Sequence, residues 1–401
     1  MKILIADKLS ELVVNELEKI GAEVLNKPGA TTDELINIIK DIEVLVVRST
    51  RVTADVMQAA DNLSLIIRAG AGVNTIDLEF ASSHGIHVAN CPGKNTAAVA
   101  ELALGLIIAA DRRIANATRD LRDGQWRKKE YGKSNGLKNR TLGIIGYGSI
   151  GQALAKRAAA LEMEIVAWSR SLTPEIAQKQ NITYCSTPAD VATHSDVVSV
   201  HLAANKETHH LIDSDFFNKM RKGTIFVNTS RGEIVDTKAL KDAIKSKELH
   251  VGLDVYENEP SGGETEFEQT ELAKQITCTP HIGASTYQAA EAIAEGVVEI
   301  VQSYLKTGQP INTVNVREKS TDKNSLLIRH YNRVGVLAAV LNVLRHEDVN
   351  VEEMENTIFE GGDAATCTLV LDSKPSPDMI NKIKDDPNII QAFLQTYKME
   401  G

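Results

Sequence analysis

One stretch restricts this chain more than any other. The apolar run Leu142-Gly143-Ile144-Ile145 leads straight into Gly146-Tyr147-Gly148-Ser149-Ile150-Gly151, and a helical pattern then continues to Leu161. A bare G-x-G-x-x-G match is a weak signal, but here a strand precedes it and a helix follows. In that setting the glycines allow a tight turn and close backbone approach, while the helix N-terminus receives a pyrophosphate. Gly146, Gly148, Ser149, Ile150 and Gly151 are therefore predicted to bind a dinucleotide. About 20 residues further on, where an acid would hydrogen-bond the ribose, the chain reads Trp168-Ser169-Arg170-Ser171. Ser169 offers no carboxylate to repel a 2′-phosphate and Arg170 can pair with one, so NAD and NADP both stay open.

The motif sits inside a longer rhythm. Strand runs are expected at 2–6, 44–47, 65–67 and 87–89, with helices near 11–20, 32–39 and 54–60. A long apolar helix is expected over 97–117. A second βαβ series follows, with strands at 142–145, 164–167, 197–200, 224–227, 251–253 and 276–278, and another apolar helix at 289–305. Such alternation implies parallel sheets. The expected fold class is α/β, with two doubly wound Rossmann-like lobes and an active-site cleft. Residues 1–96 with 287–316 form the substrate-binding lobe, and 97–286 the dinucleotide-binding domain. The polar residues 317–324 read as a linker. Beyond them, a βαββαβ order over 325–401 predicts a ferredoxin-like unit.

Composition narrows the class. With 44 Lys and Arg against 54 Asp and Glu, the formal net charge is −10, which argues against a protein that coats nucleic acid or anionic lipid. No run of 18 apolar residues is present, and the N-terminus opens on a strand pattern rather than a signal peptide. Cys91, Cys185, Cys278 and Cys367 are widely spaced, so neither a disulfide framework nor a zinc site is expected, and no metal. A cytoplasmic protein with reduced thiols and no membrane partner is the expectation. The charge is uneven: residues 112–140 hold ten Lys and Arg against three acids.

Three further motifs each follow a predicted strand, where ligands bind in open α/β sheets. They are Asn228-Thr229-Ser230-Arg231-Gly232-Glu233, Asp254-Val255-Tyr256-Glu257-Asn258-Glu259-Pro260 and Thr279-Pro280-His281-Ile282-Gly283-Ala284. With Arg68-Ala69-Gly70-Ala71-Gly72-Val73 upstream, this ordered set resembles the D-isomer-specific 2-hydroxyacid dehydrogenases. The resemblance implies that Arg231, Glu259 and His281 carry catalysis. Imidazole suits the base that takes a hydroxyl proton, a carboxylate beside it orients and stabilises it, and a guanidinium clamps the substrate carboxylate. It also implies that Asp254 holds the nicotinamide carboxamide, with Thr229, Ser230, Gly283 and Ala284 also on the cofactor. Backbone amides of Gly70, Ala71, Gly72 and Val73 would hold the substrate carboxylate, and Arg48, Arg51 and Asn95 its phosphate.

The same resemblance places the basic segment, including Lys129, at an interface between copies from which it reaches a partner's site. A homodimer or homotetramer acting on a small phosphorylated hydroxy acid is the expectation. Residues 325–401 resemble an ACT regulatory domain, in which His330, Asn332 and Asn350 would bind an effector, L-serine. Val334 departs from the usual proline there. Two rival readings are an NADPH-using reductase of glyoxylate or hydroxypyruvate and a non-catalytic, corepressor-like dinucleotide sensor.

Overall fold

The computed structural model describes residues 1–260, 265–317 and 324–396. It divides into two compact units, Met1–Val316 and Arg317–Gly401. Most of the expected linker, 318–323, lies outside the described residues.

In the first unit, β1 (Lys2–Ile5), β2 (Glu23–Asn26), β3 (Val44–Val47), β4 (Leu65–Arg68) and β5 (His87–Asn90) form one parallel sheet in the order β2-β1-β3-β4-β5. Side chains alternate across a strand, and both faces here are apolar. Val44 and Val46 join a cluster with Ile293, Val297 and Val301 of the Tyr287–Thr307 helix, whereas Leu45 and Val47 pack on the other face with Leu35, Ile39 and Val56. The chain thus returns to its first sheet after completing a second.

That second sheet holds β6 (Thr141–Ile145), β7 (Glu164–Trp168), β8 (Thr183–Tyr184), β9 (Val197–Val200), β10 (Ile225–Asn228), β11 (His250–Leu253) and β12 (Thr277–Cys278). All are parallel, in the order β12-β11-β10-β9-β6-β7-β8. The Thr96–Arg112 helix packs on it through Ala100, Ala103, Leu106 and Ile107. In each sheet the order of strand addition reverses at one point, between β1 and β3 in the first and between β6 and β9 in the second. Such crevices at strand C-terminal ends are where doubly wound sheets bind ligands.

The second unit is a four-stranded antiparallel sheet, β14 (Val351–Ile358), β15 (Ala364–Leu371), β13 (Asn324–Tyr331) and β16 (Ile389–Thr396) in that spatial order. Helices Val336–His346 and Pro377–Lys384 cover one face through Val340, Leu344, Met379 and Ile383. The βαββαβ order is the expected one.

Two strands escape the sequence pattern, β2 and β8. Both sit at sheet edges and three of the four β2 residues and both of β8 are exposed, so no apolar run marks them. The expected 97–117 helix is corrected. It breaks at Arg113, whose backbone is left-handed at φ 51°, into Thr96–Arg112 and Ile114–Arg122. Arg113 then donates to Glu130 at 2.6 Å and lies over the Tyr131 ring, drawing the chain back on itself. All four cysteines are free. Among the described residues no helix is long and apolar enough to cross a membrane.

Candidate active site

At the end of β6, Gly146 turns the chain at φ 100°, and a Cβ there would collide with the His201 carbonyl. A Cβ on Gly151 would strike the Gly146 carbonyl, so both glycines answer close backbone packing. Gly148 is different, because a Cβ on it would meet nothing within 4 Å. Its space is left for something outside the chain. Gly148 also caps the Ser149–Ala160 helix without a side-chain bond, so Ser149, Ile150 and their neighbours present open amides at the positive end of the helix dipole. A cavity of about 200 Å³ lies there, lined by Gly148, Ser169, Arg170, His201 and Asn205 among others. The Ser169 hydroxyl and His201 Nδ1 are buried beside it without hydrogen-bond partners, as is the Thr229 hydroxyl at the end of β10. Stranded polar groups cost about 1–3 kcal/mol each, which a polar ligand would relieve. The residues present fit a dinucleotide.

Ser169 brings no carboxylate, but Arg170 has one beside it, because its Nη1 donates to Glu207 Oε2 at 2.9 Å. The carboxylate arrives from the β9 loop, not from the end of β7 where the motif looks for it.

The ends of β10, β11 and β12 build the reacting corner. Asn228 Oδ1 accepts from the Ser230 amide at 3.0 Å and hydroxyl at 2.7 Å, while its Nδ2 donates to the Arg231 carbonyl at 2.8 Å. This turn holds Arg231 by its main chain. After β11, the buried Asp254 accepts from Thr279 Oγ1 at 2.6 Å and from the amides of Ile282 and Gly283, both at 2.8 Å. Burial pushes its carboxyl pKa up, against those bonds. Its carboxylate is thus spent largely on the turn that carries His281, a role the motif alone did not reveal. The His281 amide donates to the Asp254 carbonyl at 2.8 Å and takes φ 51°. Its ring meets Glu259, with Nδ1 2.6 Å from Oε2, and Glu259 Oε1 is held by the Tyr256 amide at 2.9 Å. An Nδ1–H donated to Glu259 leaves Nε2 as the acceptor nitrogen of the ring. Ala284 lies beside Gly283 in the same turn.

The first lobe contributes from the β1/β3 crevice. Asp7 Oδ2 accepts the amides of Arg48, Ser49 and Thr50 at 2.6, 3.0 and 3.0 Å, shaping the loop after β3. The Arg48 carbonyl then accepts from Arg68 Nε at 3.1 Å. Arg68 is not among the expected site residues, although it opens the 68–73 motif; in the structure it is the last residue of β4. Burial, then the nearby Arg231 and Arg48 guanidiniums, push its pKa down to about 10 despite Asp7. Gly70 and Gly72 pass between these groups: a Cβ on Gly70 would hit the Arg68 guanidinium, and one on Gly72 that of Arg231. Ala71 is tied by its carbonyl to Asn90 Nδ2, and Val73 packs below. Arg48, Arg68, Arg231 and the 70–72 backbone are therefore neighbours, whereas Arg51 is exposed at the rim. Asn95 starts the Thr96–Arg112 helix with its side chain unused in capping. Lys129 is not with them. It adjoins Glu130, bonded to Arg113 at the other end of that helix, about 25 Å from Asn95 at 1.5 Å per residue. Asp7→Ala removes a charged acceptor from three amides; we expect anion affinity at this corner to fall about tenfold with dinucleotide affinity unchanged, both measured by calorimetry.

The three expected effector residues do not meet within one chain. His330 is buried, with Nδ1 2.8 Å from the Tyr331 carbonyl and Nε2 3.1 Å from Asn356 Oδ1. Asn332 Nδ2 donates to the Gly362 carbonyl at 2.9 Å. Asn350 precedes β14 at the Leu371 end of the sheet, whereas His330 pairs with Ala365 at the other end. That is about 20 Å at ~3.3 Å per residue.

Comparison with known proteins agrees with this geometry. Residues 104–283 match the family model described as D-isomer specific 2-hydroxyacid dehydrogenase, NAD binding domain. A D-3-phosphoglycerate dehydrogenase from Archaeoglobus fulgidus is 40% identical over 319 residues, 79% of this chain and 59% of that protein. The chain thus spans about three fifths of that relative's length. A hydroxypyruvate reductase from Thermotoga maritima is 40% identical over 300 residues, 74% of this chain and 94% of its own. The NAD+-bound 3-phosphoglycerate dehydrogenase of Entamoeba histolytica superposes with a TM-score of 0.66 at 26% identity, covering 79% of this chain and 99% of that one. Two parallel lobes with a dinucleotide turn and a paired histidine and glutamate thus define an NAD(P)-binding α/β protein. The chain belongs to the D-isomer specific 2-hydroxyacid dehydrogenase family.

Proposed function

We propose that this chain is a D-3-phosphoglycerate dehydrogenase, oxidising 3-phospho-D-glycerate to 3-phosphohydroxypyruvate with NAD(P), the entry to L-serine synthesis. The observation that carries this reading is a basic corner in which Arg68 and Arg231 flank the Gly70–Gly72 backbone and Arg48 lies close to Arg68. A plain 2-hydroxy acid needs one guanidinium for its carboxylate. Three converging cations repel one another and suit a substrate that also bears a phosphate.

In this reading Arg231 and the 70–73 amides hold the carboxylate, and Arg48, Arg68, Arg51 and Asn95 face the phosphate. The bound dinucleotide supplies the hydride acceptor for C2. His281 Nε2 takes the hydroxyl proton, and Glu259 stabilises the imidazolium that results. Asp254 holds the turn that aims the imidazole, and Asn228 the turn that aims the guanidinium. The C-terminal unit is read as an ACT domain under L-serine control. Because His330 and Asn350 lie at opposite sheet ends, an effector site built from them needs a second copy. A homo-oligomer also suits the 112–140 segment, where Trp126 is 80% exposed and Leu121 56%.

The second reading is a hydroxypyruvate or glyoxylate reductase, favoured by the Thermotoga maritima relative, which aligns over almost its whole length. Initial rates with 3-phosphoglycerate, hydroxypyruvate and glyoxylate, each with both dinucleotides and with added L-serine, separate the two. No turnover of the phosphorylated acid would defeat the first reading; insensitivity to serine would defeat only its regulatory part.

A further inference from the structure

The loop after β9 brings a carboxylate to Arg170, which lines the dinucleotide cavity. Its shape is set internally. Asn205 Oδ1 accepts the amides of Glu207 and Thr208 at 2.9 and 3.0 Å, and Thr208 Oγ1 donates to the Ala203 carbonyl at 2.7 Å. Thr208 is nearly buried, so the loop is anchored and Glu207 rises from a held turn. Its carboxylate meets Arg170 at 2.9 Å. Ser169, Arg170, Asn205 and Thr208 line one cavity, and the buried Ser169 hydroxyl beside them lacks a partner. In a doubly wound sheet this is where the adenosine ribose is read: an acid accepts from the 2′-hydroxyl of NAD, or an arginine receives the 2′-phosphate of NADP.

We propose that Glu207 is a specificity-determining residue of this site, standing in for the acid absent at position 169 and selecting NAD over NADP. Alone, Arg170 would attract the dianionic 2′-phosphate. Paired with Glu207 it presents no net charge to a 2′-phosphate. The sheet order explains why the acid can come from here, since β9 neighbours β6 on the side away from β7 and its loop reaches the same crevice. Both side chains are 74% exposed, so solvent moderates each effect and the expected discrimination is tens of fold rather than thousands.

The proposal rests on residues 146–151 being the dinucleotide site, and its test keeps the two apart. NADH and NADPH are titrated by calorimetry into the full-length wild type, Glu207→Gln and the double variant Glu207→Gln/Arg170→Ala, with each melting temperature recorded. Wild type is expected to bind NADH more tightly. Glu207→Gln should shift the NADPH-to-NADH affinity ratio about tenfold towards NADPH, and the double variant should lose that gain. Melting temperatures should hold, because the pair is exposed. A wild-type preference for NADPH, or a ratio unmoved by Glu207→Gln, overturns the proposal while leaving the site intact. Failure of wild type to bind either nucleotide overturns the site itself.

Discussion

His281→Ala is expected to lower kcat by about 10²–10⁴-fold, the range that positioned general acid–base groups contribute, while dinucleotide affinity measured by calorimetry stays near wild type. His281 sits at φ 51°, held by its amide to the Asp254 carbonyl, and its ring is aimed by Glu259. Alanine removes the imidazole and also places a less tolerant residue in the left-handed region, so a loss of activity alone would confound chemistry with strain. His281→Asn separates them, because asparagine populates that region several-fold more readily than most residues. If proton transfer at Nε2 is the role, both variants lose kcat alike. If Asn restores the wild-type rate, His281 serves only the turn and the assigned base is wrong. Glu259→Gln should show a smaller loss, since Gln can keep the Tyr256 amide bond but removes the negative charge that stabilises imidazolium.

The distribution of what could be foreseen follows from physical range. Strands β1, β3, β4 and the ends of β6 announce themselves because they are apolar on both faces. The motifs after β10, β11 and β12 are contiguous, so their residues can be read off the chain and recognised by resemblance. What escaped depends on groups far apart in sequence meeting across a crevice. Asp7 reaches the amides of 48–50 only because β1 and β3 are neighbours, and Glu207 reaches Arg170 only because β9 follows β6 in space. The position rule that looks for an acid after β7 finds Ser169 and cannot see a carboxylate from another loop. Arg68 hides for a different reason: it opens a motif whose glycine amides draw the reading, and only the collision at Gly70 shows where its guanidinium lies. In the C-terminal unit the order of elements was legible, but strand direction parts His330 from Asn350, and no local pattern encodes that separation. The helix break at Arg113 was likewise unreadable, since no glycine or proline marks it.

Arg231 should show the second large effect, and its form discriminates between roles. The guanidinium is held by its own Nη1 bond to the Ser230 carbonyl at 2.6 Å and by the Asn228 turn, and it lies against Gly72 opposite Arg68. A cation so placed can bind the substrate carboxylate in the ground state, polarise C2 as hydride leaves, or do both. Arg231→Gln removes charge and fork together, and Arg231→Lys keeps charge but loses the bidentate geometry. For a role in both steps we expect Arg231→Gln to lower kcat/KM by about 10²–10⁴-fold, consistent with losing a charge-assisted bidentate bond at a developing charge. Arg231→Lys should recover part of KM and little of kcat, because a point charge attracts the acid without fixing its plane. If only KM moved in both variants, Arg231 would be an anchor and polarisation would fall to another group. Arg68 is the nearest candidate for that, since its guanidinium lies close to that of Arg231 beside the 70–72 backbone. The two arginines therefore form a coupled pair, and the Arg68→Gln/Arg231→Gln double variant should lose measurably less than the product of the single losses.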